Sequence, residues 1–71
     1  MSRDIVRRFG RRVRQLRDAR NMSQTVFAEK IGTDQSTISL IENGKQEPRL
    51  RSIDQMAGAL KVSLSELFTD L

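Results

Sequence analysis

Residues 23–44 read Ser23-Gln24-Thr25-Val26-Phe27-Ala28-Glu29-Lys30-Ile31-Gly32-Thr33-Asp34-Gln35-Ser36-Thr37-Ile38-Ser39-Leu40-Ile41-Glu42-Asn43-Gly44. Two short helical patterns stand here, joined by a tight turn. Ser23 is placed to cap the first, and Phe27 and Ile31, four apart with Ala28 beside them, give it an apolar face. Gly32 ends it. Asp34 caps the second, Ile38 and Ile41 point inward, and Gly44 after Asn43 stops it. Helices that cross steeply need a small residue at the crossing and a residue that accepts positive φ in the turn. Ala28 and Gly32 meet both needs. The start of the second helix stays small and polar at Gln35, Ser36, Thr37 and Ser39, which an ordinary helical hairpin has less reason to do.

Upstream, Ile5, Phe9, Val13 and Leu16 recur as one apolar stripe, so the spacing predicts a first helix. Ser2 or Asp4 can cap it, Gly10 weakens its middle slightly, and Asn21 stops it. Downstream, Pro48 opens a turn before a fourth helix whose Leu50, Ile53, Met56, Ala57 and Leu60 face inward. Ser63 and Glu66 make a capping box for a short last helix carrying Leu64, Leu67 and Phe68. Nothing reads as a strand, a repeat or a linker. The expected fold is all-α, a compact bundle of five short helices in a single domain over residues 1–71, with loops of common length.

Composition narrows the function classes. A 71-residue chain buries only about 60% of its unfolded surface, so oligomerisation is a natural source of added stability. There is no Cys and no His, which removes disulfides, thiolate zinc sites, the commonest metal ligand and the commonest general base. No paired-carboxylate motif appears, so an enzyme, a metal site or a cofactor is not expected. No apolar run is long enough to cross a bilayer or to serve as a secretory signal, and a cytoplasmic protein is expected. The net charge of +4 is uneven: residues 1–22 hold eight Arg against Asp4 and Asp18, whereas residues 23–71 hold five Lys and Arg against seven Asp and Glu. That asymmetry points to a polyanionic partner near the N-terminal part, against the plainer reading of a solvated helix face. Arg11, Arg12 and Arg14 are the candidates to lie near phosphate.

The segment S-Q-x-x-F-A-x-K-I-G-T-D-Q-S-T-I-S-x-I-E-N-G-K resembles the Cro/lambdoid-repressor type of helix-turn-helix, the XRE family of phage repressors and restriction–modification controller proteins. The likeness spans residues 9–68. It takes in R-x-L-R at Arg14–Arg17, then E-P-x-L at Glu47–Leu50, and ends on A-x-A-L-x-V-S-x-x-E-L-F. It implies a lambda repressor-like DNA-binding domain that lays the helix at 35–42 in the major groove of double-stranded DNA. By the resemblance, Gln35, Ser36, Ser39 and Leu40 face bases, and Gln35 matches a glutamine that reads adenine through N6 and N7. Gln24 matches a residue that contacts phosphate and supports Gln35. Thr37, Asn43 and Lys45 match backbone-contacting positions, and Arg17 with Glu42 matches a partly buried ion pair. Three positions depart from the pattern. Leu40 stands where many relatives are polar, and could touch a thymine methyl. Arg49 replaces a small capping residue, and could reach phosphate. Val26 occupies a usually polar site.

The apolar residues at the C-terminal end, Leu64, Leu67, Phe68 and Leu71, exceed what one small core needs. Either all are core, or some form a two-fold seam at about 63–71 that sets two recognition helices about 34 Å apart on an inverted-repeat operator. The expected state is therefore a homodimeric transcriptional regulator. The rival is an antitoxin-like interaction module whose main partner is another protein, with Val26 and the C-terminal apolar cluster as its contacts.

Overall fold

The computed structural model describes residues 2–71, with side chains from Ile5 onward. Five helices follow in the expected order: α1 Ser2–Ala19, α2 Gln24–Ile31, α3 Gln35–Glu42, α4 Leu50–Leu60 and α5 Leu64–Leu67. The cap expected at Ser2 or Asp4 rests on side chains outside the described residues.

The helix starts follow from short polar side chains. Ser23 Oγ accepts from the Val26 N–H at 3.0 Å, Asp34 Oδ1 accepts from the Thr37 N–H at 2.8 Å, and Ser63 and Glu66 cap each other at 3.0 Å. Each bond satisfies a donor that a helix start leaves orphaned. The ends of α1 to α4 share one device. At Asn21, Gly32, Gly44 and Lys61 the backbone turns left-handed, with φ of 56°, 75°, 71° and 59°. The N–H after each of them reaches back to a carbonyl five residues earlier, as from Thr33 to Ala28 at 2.9 Å and from Lys45 to Leu40 at 2.9 Å. These are Schellman closures. Lys61 is the one the sequence gives no reason to expect, because a lysine bears the Cβ clash that glycine avoids.

One core joins the helices. Val13, Phe27, Ile38, Met56, Leu60 and Leu67 are fully buried, with Phe9, Ala28, Ile31, Ile41 and Ala57 around them. Ile5, Leu16 and Ile53 are only half-buried. Two expectations need correction. Leu50 does not face inward but is 79% exposed. It is the first residue of α4, and side chains tilt toward a helix N-terminus, so it projects past the edge of the core. Leu67 is not available to a seam: it is 0% exposed, at the centre of the core, whereas Leu64 and Phe68 on the same short helix are exposed.

Gly10 does more than weaken α1. A Cβ built there would lie 2.8 Å from the Glu42 carbonyl oxygen and closer still to that of Ile41. Here α1 crosses the end of α3 backbone to backbone, which only glycine permits. A turn earlier, Arg7 packs its stem on Gly44, whose own Cβ would meet Arg7 Cγ at 2.7 Å. These two contacts set α3 against α1.

Candidate nucleic-acid interface

A chain of hydrogen bonds runs from the core to the surface of α3. Arg17 and Glu42 are both buried, at 7% and 6% exposure. Their pairing is bidentate: Arg17 Nε donates to Glu42 Oε2 at 2.6 Å and the other guanidinium nitrogen to Oε1 at 2.9 Å. The Glu42 hydrogen bond raises the Arg17 pKa against the opposing effect of burial. A third donor of Arg17 holds the Met22 carbonyl at 2.7 Å, so α1, the loop before α2 and α3 are tied at one point. Gln24 Nε2 then donates to Glu42 Oε1 at 3.0 Å, and Gln35 Nε2 donates to Gln24 Oε1 at 2.6 Å.

The order of this chain follows from chemistry. An ionised carboxylate only accepts, so Gln24 must offer Glu42 its NH2 end. Its carbonyl end is thereby turned to Gln35, which must donate in turn. One N–H and the Oε1 of Gln35 remain unspent. A donor and an acceptor side by side are what adenine N7 and N6 require in the major groove. Glu42, which touches no expected DNA atom, thus decides how the outermost amide is presented.

The other expected base-facing residues share the outer stripe of α3. Gln35, Ser36 and Leu40 are exposed, and Ser39 is half-buried. Asn43 Nδ2 lies 2.9 Å from the Ser39 carbonyl and 3.3 Å from Ser39 Oγ, and donates to both. Thr37 is half-buried beneath the stripe, while Lys45 and Arg49 are exposed on the α3–α4 loop. Arg49 stands at the N-cap of α4 without making a side-chain cap. Asp34, whose carboxyl the Thr37 N–H holds below its ordinary pKa, closes the stripe at its start.

The arginines of α1 divide by face. Arg12 is turned away from this surface and donates to the Glu66 carbonyl at 2.8 Å, and Arg8 donates to the Leu71 carbonyl. Both fasten the C-terminal segment, so Arg12 leaves the set expected near phosphate. Arg7, which the sequence reading passed over, lines with Arg11 and Arg14 an open trough of about 290 Å³ against Glu42 and Asn43. The spacing 7, 11, 14 is one helical stripe, and that was the available signal. No helix among the described residues is long and apolar enough to cross a membrane.

Two helices at a tight glycine turn, the second offering an outward polar stripe braced from behind, define a helix-turn-helix reader of duplex DNA. A family profile described as helix-turn-helix matches residues 13–67. The chain is 39% identical over 69 residues to the control protein C.MunI of Mycoplasma sp, covering 96% of this chain and 93% of that one. It is 32% identical over 62 residues to the cryptic phage CTXphi transcriptional repressor RstR of Vibrio cholerae, covering 87% of this chain and 56% of the repressor. Among solved structures, the restriction-modification controller protein C.AhdI of Aeromonas hydrophila superposes with a TM-score of 0.89 at 35% identity, over 93% of this chain and 96% of that one. The chain belongs to the helix-turn-helix family of DNA-binding transcriptional regulators.

Proposed function

We propose that this protein is a homodimeric regulator of the restriction–modification controller type, which docks α3 in the major groove at each half of an inverted repeat. The observation that carries the reading is the Gln35 amide braced through Gln24 to Glu42, whose unspent donor and acceptor are what an adenine edge would take. Gln35, Ser36, Ser39 and Leu40 are the base-reading set, and Gln24, Thr37, Asn43, Lys45 and Arg49 hold the backbone. The likeness to C.MunI and C.AhdI, over more than nine-tenths of each of those chains, supports the controller type. Such a regulator works in the cytoplasm, with occupancy set by its own concentration.

The seam is assigned to Leu64, Phe68 and Leu71. Leu64 and Phe68 are 43% and 41% exposed. Phe68 stacks on Phe9 at 5.4 Å between ring centres. Beside it lies an apolar hollow of about 140 Å³ between Ile5, Pro48 and Ile53, open to receive a side chain from a second copy.

Selection from a random duplex pool at fixed salt, followed by sequencing, tests the whole reading. An enriched inverted repeat with half-site centres about 10 bp apart is expected. Binding of all duplexes alike would overturn it and favour a protein partner as the main target. Sedimentation of the Leu64→Glu variant tests the seam: a folded monomer is expected, with a melting temperature lowered only by the lost association, and an unchanged mass excludes Leu64.

A further inference from the structure

We propose that Arg7, Arg11 and Arg14 form a phosphate rail on α1, a second DNA-backbone contact outside the helix-turn-helix. This rests on the reading of α3 as the groove-bound helix. Three observations lead to it.

First, the arginines of this helix have been sorted by the fold. Arg17 is buried in its ion pair, and Arg8 and Arg12 are turned onto carbonyls of the C-terminal segment. Arg7, Arg11 and Arg14 are exposed instead. Among the described residues, neither Arg7 nor Arg11 has a carboxylate within ion-pair distance. Arg14 has only a long solvent-exposed contact of 3.8 Å with Asp18. Three guanidinium groups on one helix face repel one another, and among the described residues the Arg14–Asp18 contact is the one ion pair that offsets it.

Second, the rail is continuous with the expected DNA face. Asn43 belongs to the outer stripe of α3 and also walls the trough that Arg7, Arg11 and Arg14 line. A second polar cleft of about 440 Å³, which also has Glu47 in its wall, extends it from Arg7 past Asn43 to Lys45. Four cations thus follow one open edge of the molecule, from Arg14 to Lys45.

Third, the rail is held rigidly at its start. The Arg7 stem lies on Gly44, where a Cβ would collide with it. The glycine that closes α3 also seats the first arginine beside the phosphate-contacting loop. A row of fixed cations along the edge of a groove-bound helix matches the charge of a DNA strand, on the side of the α3 C-terminus.

The test is the salt dependence of binding. Each phosphate neutralised adds about 0.9 to the slope of log affinity against log salt on B-DNA. The triple variant Arg7→Gln, Arg11→Gln, Arg14→Gln should bind with a slope shallower by about 2–3, with its order of preference among operator sequences unchanged. A control triple variant, Arg20→Gln, Lys30→Gln, Lys61→Gln, loses the same net charge on other faces and should change the slope by less than about one. Equal slopes for rail variant and wild type, or for rail variant and control, would overturn the proposal. If the rail variant does not fold, Arg11→Gln alone should lower the slope by about one. Failure of the wild type to prefer any sequence would sink the operator reading. The slopes on an arbitrary duplex would still decide the rail.

Discussion

Removing the charge of Arg17 while leaving Glu42 in place should be the most damaging polar change in this protein. Both side chains are over nine-tenths buried and bound at two points. Losing one partner strands the other charge in the core, at a cost of about 3–5 kcal/mol. A domain of this length has a total stability of roughly 4–10 kcal/mol, and its unfolding entropy is about 150 cal/mol/K. Arg17→Met should therefore melt roughly 20–30 °C below the wild type. Replacing the pair together, as Arg17→Met with Glu42→Leu, leaves no stranded charge and should recover most of that loss. The double variant has nonetheless lost the carboxylate that orients Gln24. It should fold and still discriminate poorly at the base pair read by Gln35. Thermal unfolding by circular dichroism, with competition binding against operators changed at single positions, separates the two effects. A drop of under about 5 °C for Arg17→Met would refute the buried-charge argument. Full base discrimination by the folded double variant would refute the role of Glu42 in orienting the amide.

The outermost member of the chain gives a cleaner binding phenotype. Gln35→Ala, at an exposed site, should keep the wild-type melting temperature and lose roughly 1–3 kcal/mol of binding, with relaxed preference at one base pair in competition assays. Two glycines should respond in opposite directions in denaturant titrations. Gly10→Ala pushes a methyl into the Ile41 and Glu42 carbonyls and should cost about 1–3 kcal/mol. Gly58→Ala, exposed within α4 with nothing near its Cβ, should add about 0.5–1 kcal/mol. Asp34 sits below its ordinary pKa of 3.8 because its carboxylate caps α3. The unfolded chain therefore binds this proton more readily. The stabilisation is present above that value and is lost as the pH falls through the lower folded one, so Asp34→Asn should flatten the acid limb of the stability profile.

What could be read in the sequence was what local chemistry decides. Ser23, Asp34 and Ser63 with Glu66 cap their helices because a cap is a bond between residues three apart, visible as spacing. Asn21, Gly32 and Gly44 close their helices for an equally local reason. Lys61 escapes the same logic, because a lysine carries no preference for the left-handed turn it makes, with φ of 59°. The periodicity that gave the core also misled at Leu50, since a stripe records direction and not where the core ends. Gly10 carries no local mark of its importance: its close approach to α3 joins residues about thirty positions apart. The arginines show the limit most plainly. Arg7, Arg8, Arg12 and Arg17 are the same residue on one helix, yet they meet a loop glycine, two distant carbonyls and a buried carboxylate. Only the tertiary fold distinguishes them.

The same contacts hold α3 in the fold and aim it at its target. A helix of eight residues is too short to persist alone in water, so its geometry is borrowed from what it packs against. Its inner residues Ile38 and Ile41 join the same buried core as Phe27 and Val13, its end is fixed by the close approach of Gly10, and its last residue, Glu42, is clamped by Arg17. Glu42 then passes its orientation to Gln24 and Gln35. A lone exposed glutamine would lose side-chain entropy on binding a base, whereas one braced through two hydrogen bonds to a buried carboxylate has lost much of it on folding. Rigidity at the core thus becomes selectivity at the surface. Single substitutions at Gly10, Arg17 or Glu42 should therefore disturb folding and base choice together, whereas single substitutions along the outer stripe of Gln35, Ser36, Ser39 and Leu40 should disturb base choice alone.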